Sequence, residues 1–199
     1  MRYIKLGASS MPAWEFAKAL HLQARHGWAR FISMQHHYNL LAREEEREMI
    51  PLCLDEGVGT IIWSPLARGR LARAWQDARS TVRSETDGWY ADLLYPALTA
   101  GSDQAIVESV GRVAQARGVS RAQVALAWLR SKPAVTAPLV GAGTTAQIDD
   151  AVAALDLDLT SGEIAELERR YTPRHDFQGV SDEAELQRIR DRIPGYANA

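Results

Sequence analysis

Arg30-Phe31-Ile32-Ser33-Met34-Gln35-His36-His37-Tyr38-Asn39 and Gly59-Thr60-Ile61-Ile62-Trp63-Ser64-Pro65, with Arg43 to Glu56 between them, read as strand, helix, strand. Arg30–Met34 and Gly59–Trp63 are short runs of β-favouring residues. The intervening segment places Glu44, Glu45 and Glu46 where the positive end of a helix favours anions, and Pro51 must bend or shorten that helix. Upstream, Tyr3-Ile4-Lys5-Leu6 is a third such run, set back by roughly 28 residues, the length of a strand, a helix and two loops. Between it and Arg30, Ser10 is the expected N-cap and Pro12 suits a first turn. Ala13, Phe16, Ala17, Leu20 and Ala24 then share one helical face that ends at His26-Gly27.

Downstream, Ala67 to Gly101 loses periodicity and reads as a long loop with a short helical piece. Asp103 opens a helix to Arg117 with Val107, Val110 and Ala114 inward and Gly118 as its stop. Ser120 and Gln123 form a capping-box pattern before Val124, Ala125, Trp128 and Leu129, and that helix ends at Lys132-Pro133. A fourth strand, Val135 to Val140, runs into Gly141-Ala142-Gly143-Thr144-Thr145. Thr144 with Gln147, and Thr160 with Glu163, start two more helices, the second ending near Tyr171 before Pro173. Strands are therefore expected near residues 2–7, 30–35, 59–64 and 135–140. Their alternation with helices implies an α/β fold with parallel strands. Residues 1–173 form the expected folded unit and 174–199 a polar extension, helical over Asp182 to Arg192.

The 199 residues, 46% hydrophobic and 24% charged, exclude a disordered or fibrous chain. Twenty-three Lys plus Arg against 25 Asp plus Glu give a net charge of -2, which recommends neither nucleic acid nor an anionic membrane as partner. Cys53 is the single cysteine, so no internal disulfide forms, and neither a signal-peptide pattern nor a membrane-length apolar run is evident. A cytoplasmic location is the expectation.

In parallel α/β folds, ligands sit at the C-terminal ends of the strands, where loops lead into helix N-termini that carry free N–H groups and a positive dipole end. The unusual clusters of this chain all fall there: Gly7-Ala8-Ser9-Ser10, Gln35 to Asn39, Ser64 to Arg70, and Gly141 to Gln147. Each also has a plainer role. Ser9 or Ser10 serves as a helix cap, Gln35 satisfies a backbone group, Trp63 belongs to the core, and Arg68 and Arg70 are surface charge. His36 and His37 alternate in direction along a strand, so at most one faces inward and no metal site is expected. A glycine-containing turn immediately before a helix is the strongest of the four as a phosphate cradle.

The succession GASS, MQHHYNLL, REEEREMIPLCLDEGVG, WSPLARGRL, SRAQVALAWL and VGAGTTAQIDDAVAAL, over residues 2–173, closely resembles the C-terminal half of the aldo-keto reductases. The resemblance implies half of a (β/α)8 TIM barrel and NADPH- or NADH-dependent reduction of an aldehyde or ketone. By it, Ser9, Ser10 and Gln35 hold the nicotinamide carboxamide and Trp63 stacks on the ring. Ser64, Leu66, Gly69 and Arg68 lie along the pyrophosphate. Gly141, Gly143 and Thr144 surround the phosphate on the adenosine ribose, and Gln147 approaches the adenine. Ser10 stands for the more usual Asn, Ala151 for an adenine-contacting Asn, and Thr144 for a frequent Arg or Lys, which weakens the preference for NADP over NAD.

The family's catalytic Asp, Tyr, Lys and His belong to the first four strands, and no catalytic residue is assigned in this chain. Tyr38, Tyr90 and Tyr95 have no evident Lys or Asp partner, although a tuned proton donor is what carbonyl reduction needs. Two functions follow. The chain supplies the nicotinamide nucleotide site of a reductase acting on a small carbonyl substrate, or it is a truncated, inactive remnant that binds a nucleotide or a protein. A segment encoded upstream of Met1 carrying Asp, Tyr, Lys and His would decide for the first. Half a barrel also leaves two open strand edges, which favours a homodimer.

Overall fold

The computed structural model describes residues 5–77, 88 and 90–174. Its elements in order are β1 (Leu6–Ser9), α1 (Ala13–His26), β2 (Phe31–His37), a 3-10 turn at Glu44–Glu46, α2 (Met49–Asp55) and β3 (Gly59–Trp63). Three 3-10 segments follow, at Ala67–Ala72, Trp75–Asp77 and Ala97–Thr99, then α3 (Ala100–Arg117), α4 (Arg121–Arg130), β4 (Val135–Pro138), α5 (Thr145–Ala153), a turn at Ala154–Asp156 and α6 (Ser161–Glu168). The strands form one sheet in the order β1-β2-β3-β4, every neighbouring pair parallel. Four parallel strands in series with helical crossovers make an α/β fold consistent with part of a (β/α) barrel.

One face of the sheet is packed by two apolar clusters. The smaller joins Ala8 and Met34 of the sheet to Phe16 and Leu20 of α1 and to Met49 and Cys53 of α2, with Cys53 fully buried. The larger surrounds Trp128, and holds Ile62, Leu71, Ile106, Val110 and Leu129. On the other face glycines and hydroxyls meet. A Cβ on Gly7 would sit 2.7 Å from Ser33 Oγ, and one on Gly59 would sit 3.0 Å from Thr136 Oγ1. The end of the described chain is tied back to the 3-10 turn: Tyr171 Oη accepts the Arg43 N–H (3.2 Å) and donates to Glu44, while the Arg174 N–H donates to Glu44 Oε1 (3.1 Å).

Several boundaries differ from those expected. β1 runs through Gly7, Ala8 and Ser9, so the first polar cluster is the strand's own end and not a loop after it. The second helix starts at Met49 because Pro51, which has no N–H, is tolerated in a first turn; the three glutamates form a separate 3-10 turn. β4 stops at Pro138. α3 begins at Ala100, with Asp103 inside its first turn accepting from Thr99 Oγ1 (3.0 Å). Ser10 is not the cap of α1: Pro12 occupies that position without a side-chain bond, and Ala24 is exposed while Gln23 is buried and accepts the Phe31 N–H. Gly27 and Gly118 end α1 and α3 at φ 66° each, as their positions predict. Of the capping patterns, only Thr160 with Glu163 is reciprocal; Gln123 turns instead to Asp150 and Gln147 to Gly143. The helix expected over Asp182 to Arg192 lies outside the described residues.

Candidate functional site

The parallel register brings the ends of the strands level. Ser9 pairs with Gln35 and His37 with Trp63, so the polar clusters gather at one end of the sheet. There the side chains interlock: Ser9 Oγ donates to Gln35 Oε1 (3.3 Å), Ser10 N–H donates to the Gln35 carbonyl (2.9 Å), and the indole N–H of Trp63 donates to Ser10 Oγ (3.0 Å). Ser10 therefore fixes Trp63 and does not cap a helix. His36 and His37 point to opposite faces, as alternation requires. His37 lies flat on Trp63, ring centres 4.2 Å apart and planes 11° apart. His36 is fully buried on the helix side near Tyr38, with neither ring nitrogen hydrogen-bonded. Burial holds His36 down to about 4 and His37 to about 3, so both are neutral.

Beyond Trp63 the chain turns sharply. Ser64, Ala67 and Arg68 have φ of 51°, 48° and 55°, and with Ser10 (30°) they are the non-glycine residues in left-handed backbone among those described. Such strain, costing on the order of 1–3 kcal/mol per residue, persists where surrounding structure enforces it and gathers at ligand sites. The strained turn forms one wall of a cleft of about 730 Å³, through Ser64, Leu66, Arg68, Gly69 and Arg73. The facing wall is Leu139, Val140, Gly141, Gly143, Gln147 and Asp150. Seven of the twelve residues expected at a nucleotide site line this cleft: Ser64, Leu66, Arg68, Gly69, Gly141, Gly143 and Gln147. Ser9, Ser10, Gln35 and Trp63 form the hydrogen-bonded group beside it, joined through the Trp63–Ser64 peptide. Thr144 stands apart, its Oγ1 accepting the Gln147 N–H (3.3 Å) as the cap of α5. Gln147 Oε1 in turn accepts the Gly143 N–H (2.7 Å), so that donor is engaged.

Two charged lining residues were not picked out from the sequence. Asp150 lies one helical turn beyond Gln147, a spacing that places both on one face of α5. Its carboxylate accepts from Ser120 Oγ (2.7 Å) and Gln123 Nε2 (2.6 Å), which holds it rigidly on the wall. Arg73 follows in the same basic run as Arg68, and donates to the Gly69 carbonyl (3.4 Å). Arg70, by contrast, is buried away from the cleft, its guanidinium 5.1 Å from the Tyr95 ring centre.

The tyrosines weighed as proton donors are otherwise employed. Tyr38 is buried against Trp128 and donates to Glu46, and burial raises it far above the ordinary tyrosine value. Tyr95 is buried with His37 and Asn39 and is raised in the same way. Tyr90 lies under the Arg68 guanidinium, 5.2 Å from the ring centre. Among the described residues no three His, Cys, Asp or Glu side chains come together as a metal site, and no helix is long and apolar enough to cross a membrane.

The sequence profile of the Aldo/keto reductase family matches residues 3–171. The chain is 51% identical over 173 residues to the versiconal hemiacetal acetate reductase of Aspergillus parasiticus, covering 87% of this chain and 49% of that protein. It is 43% identical over 166 residues to an aldo-keto reductase of Alternaria alternata (83% and 43% of the two chains) and 41% identical over 181 residues to one of Metarhizium robertsii (91% and 47%). The chain spans about half the length of these curated relatives. A parallel sheet whose polar clusters gather at one end and a profile match over most of the length lead to one conclusion: the chain belongs to the aldo/keto reductase family.

Proposed function

We propose that this chain forms the nicotinamide-nucleotide half of a carbonyl reductase, with NADP as cofactor and NAD as the alternative. The observation that carries the reading is the cleft itself: a turn in strained left-handed backbone faces a glycine turn across it, with Arg68 and Arg73 on one wall. The residues fit the group. At Gly141 an added Cβ meets nothing within 4 Å, and at Gly143 only Gln147 Oε1 at 3.8 Å, so the wall is bare backbone that a phosphate can approach. When bound, the reduced cofactor supplies a hydride to the carbonyl carbon of an aldehyde or ketone. Ser9, Ser10 and Gln35 orient the carboxamide, and Trp63 covers one face of the ring. Ser64, Leu66 and Gly69 follow the pyrophosphate. Arg68 and Arg73 neutralise phosphate charge, Gly141, Gly143 and Thr144 receive the adenosine end, and at the adenine edge Gln147 accepts or donates while the Asp150 carboxylate accepts.

The chain's own groups hold and orient; none of its described tyrosines is poised to give a proton. We therefore expect the 199-residue protein to bind NADPH with micromolar or weaker affinity and to leave reactive aldehydes unreduced. Calorimetric titration and NADPH consumption measure the two. Absence of binding at millimolar NADPH defeats the cofactor reading and favours an inactive protein-binding remnant. Saturable turnover abolished by Trp63→Ala defeats the expectation of inactivity.

The exposed edges bear on partners. Trp14 and Trp28 of the β1 side, and Leu139, Ile148, Val152 and Leu155 of the β4 side, are exposed. Two copies related by a two-fold axis along the strands set β4 of each beside β1 of the other, closing both edges and covering these apolar rows. Size-exclusion chromatography with light scattering should give a dimer; a stable monodisperse monomer rules this assembly out.

A further inference from the structure

His37 sits behind the candidate site and none of the roles above uses it. Asn39 orients the group around it: Oδ1 accepts the Leu41 N–H (2.9 Å), so Nδ2 faces the Ser64 carbonyl (2.9 Å), Tyr95 Oη (3.0 Å) and His37 Nε2 (3.1 Å). An amide nitrogen only donates, so Tyr95 accepts from Asn39 and passes its own hydrogen to His37 Nε2 at 2.9 Å. His37 Nε2 is thereby an acceptor and the ring hydrogen is on Nδ1. The imidazole is neutral, cannot rotate without breaking this network, and lies parallel to the Trp63 indole at 4.2 Å. Trp63 is held at its edge by Ser10 and on one face by His37, so on the dinucleotide reading the nicotinamide takes the opposite face.

We propose that His37 is a positioning residue: its locked, uncharged ring sets the plane of Trp63 and so the surface on which the nicotinamide stacks. The inference rests on the dinucleotide reading of the cleft, but it concerns only the nicotinamide end. A neutral ring also matters in its own right, because an imidazolium would draw on the indole's π-electrons from behind and compete with the ligand stacked in front.

The test separates ring from hydrogen bonds. His37→Gln keeps a polar side chain that can bond to Tyr95 and Asn39 but removes the flat ring. His37→Phe keeps the ring and drops the bonds. Each is titrated calorimetrically with NADPH and with adenosine 2′,5′-bisphosphate, which lacks the nicotinamide. The expected result is about a five- to tenfold loss of NADPH affinity in His37→Gln, the scale of one aromatic contact, and less than about twofold in His37→Phe. The bisphosphate should bind equally to all three. The opposite order, or parallel loss of both ligands, overturns the proposal and makes His37 a folding residue. If the wild-type chain binds neither ligand, the cofactor reading has failed before His37 is tested. If both variants unfold, Tyr95→Phe drops one hydrogen bond and keeps the His37 ring, so NADPH and bisphosphate affinities should each change by less than about twofold; a loss of about fivefold or more for NADPH overturns the proposal.

Discussion

The two ends of the candidate site are built differently. At the Trp63 end the aromatic ring is gripped by Ser10 and His37, and behind His37 stand Asn39 and Tyr95, all but out of solvent. At the Gly141–Gln147 end every residue is exposed, and the only internal ties are the cap at Thr144 and the bond from Gly143 to Gln147. A hydride travels only over short, well-aligned distances, so the end that presents the reacting ring needs fixed geometry. A phosphate is drawn by charge and backbone donors, which tolerate a looser wall. On the proposed reading, the contrast follows the separate tasks of a dinucleotide's two halves.

The contrast breaks first on stability. Asn39→Ala removes a fully buried amide that joins the ends of β2 and β3 and leaves the buried Leu41 N–H without its partner, while the Ser64 carbonyl keeps only the Ala67 N–H; it should cost about 3 kcal/mol in urea unfolding. Thr144→Ala at the open end should cost about 1 kcal/mol, the value of a lost cap. Equal losses would mean that the two ends are equally rigid.

The next effect is electrostatic. His36 and His37 refuse protons that the unfolded chain accepts below 6.5, so their stability is complete above that pH and is lost as pH falls toward 4 and 3. Burial, helped by Glu44, raises Glu45 to about 7, and burial raises Asp103 to about 6. These carboxyls favour the folded state below the unfolded values of 4.5 and 3.8 and lose that advantage as pH rises through their folded values. The two pairs oppose each other over the same range and flatten the profile. Glu45→Gln removes one counterweight, and the variant should lose about 2 kcal/mol more than the wild type on going from about pH 6.5 to pH 5. Parallel pH profiles would show that Glu45 is ionised in the folded protein.

On binding, Trp63→Ala should weaken NADPH about tenfold with little change for adenosine 2′,5′-bisphosphate, which sharpens the division of labour. The smallest effect is expected at the open end. Gln147→Ala frees the Gly143 N–H but removes a side chain from the proposed adenine wall, so the bisphosphate affinity should move by less than about threefold in either direction, as titration would register.

Periodicity and capping chemistry made most of the fold legible. Gly27, Gly118 and the Thr160–Glu163 box mark element ends through purely local physics; the first three strands follow from short β-favouring runs at regular intervals, and the fourth from the run at Val135–Val140. β1 was displaced because Gly7-Ala8-Ser9 lacks strand propensity; pairing with Ser33, Met34 and Gln35 makes it a strand. Ser10 was read as a cap because a serine before a helix normally is one, whereas its partner Trp63 lies 53 residues away. The cleft residues were visible as strand-end clusters and through resemblance. Asp150, Arg73 and the His37–Asn39–Tyr95 network were not, since each depends on tertiary contacts that no local pattern encodes.

The fully buried Cys53 has a practical consequence. Its thiol is pushed up to about 11 by burial and by Glu45, and it lies inside the small cluster between α1, α2 and the first two strands. A thiol reagent reaches it only when that half of the protein opens, so its modification rate in dilute urea is a clock for local opening. Because the second cluster contains no thiol, the same experiment tells whether the layers beside β1 separate on their own or only when the whole domain comes apart.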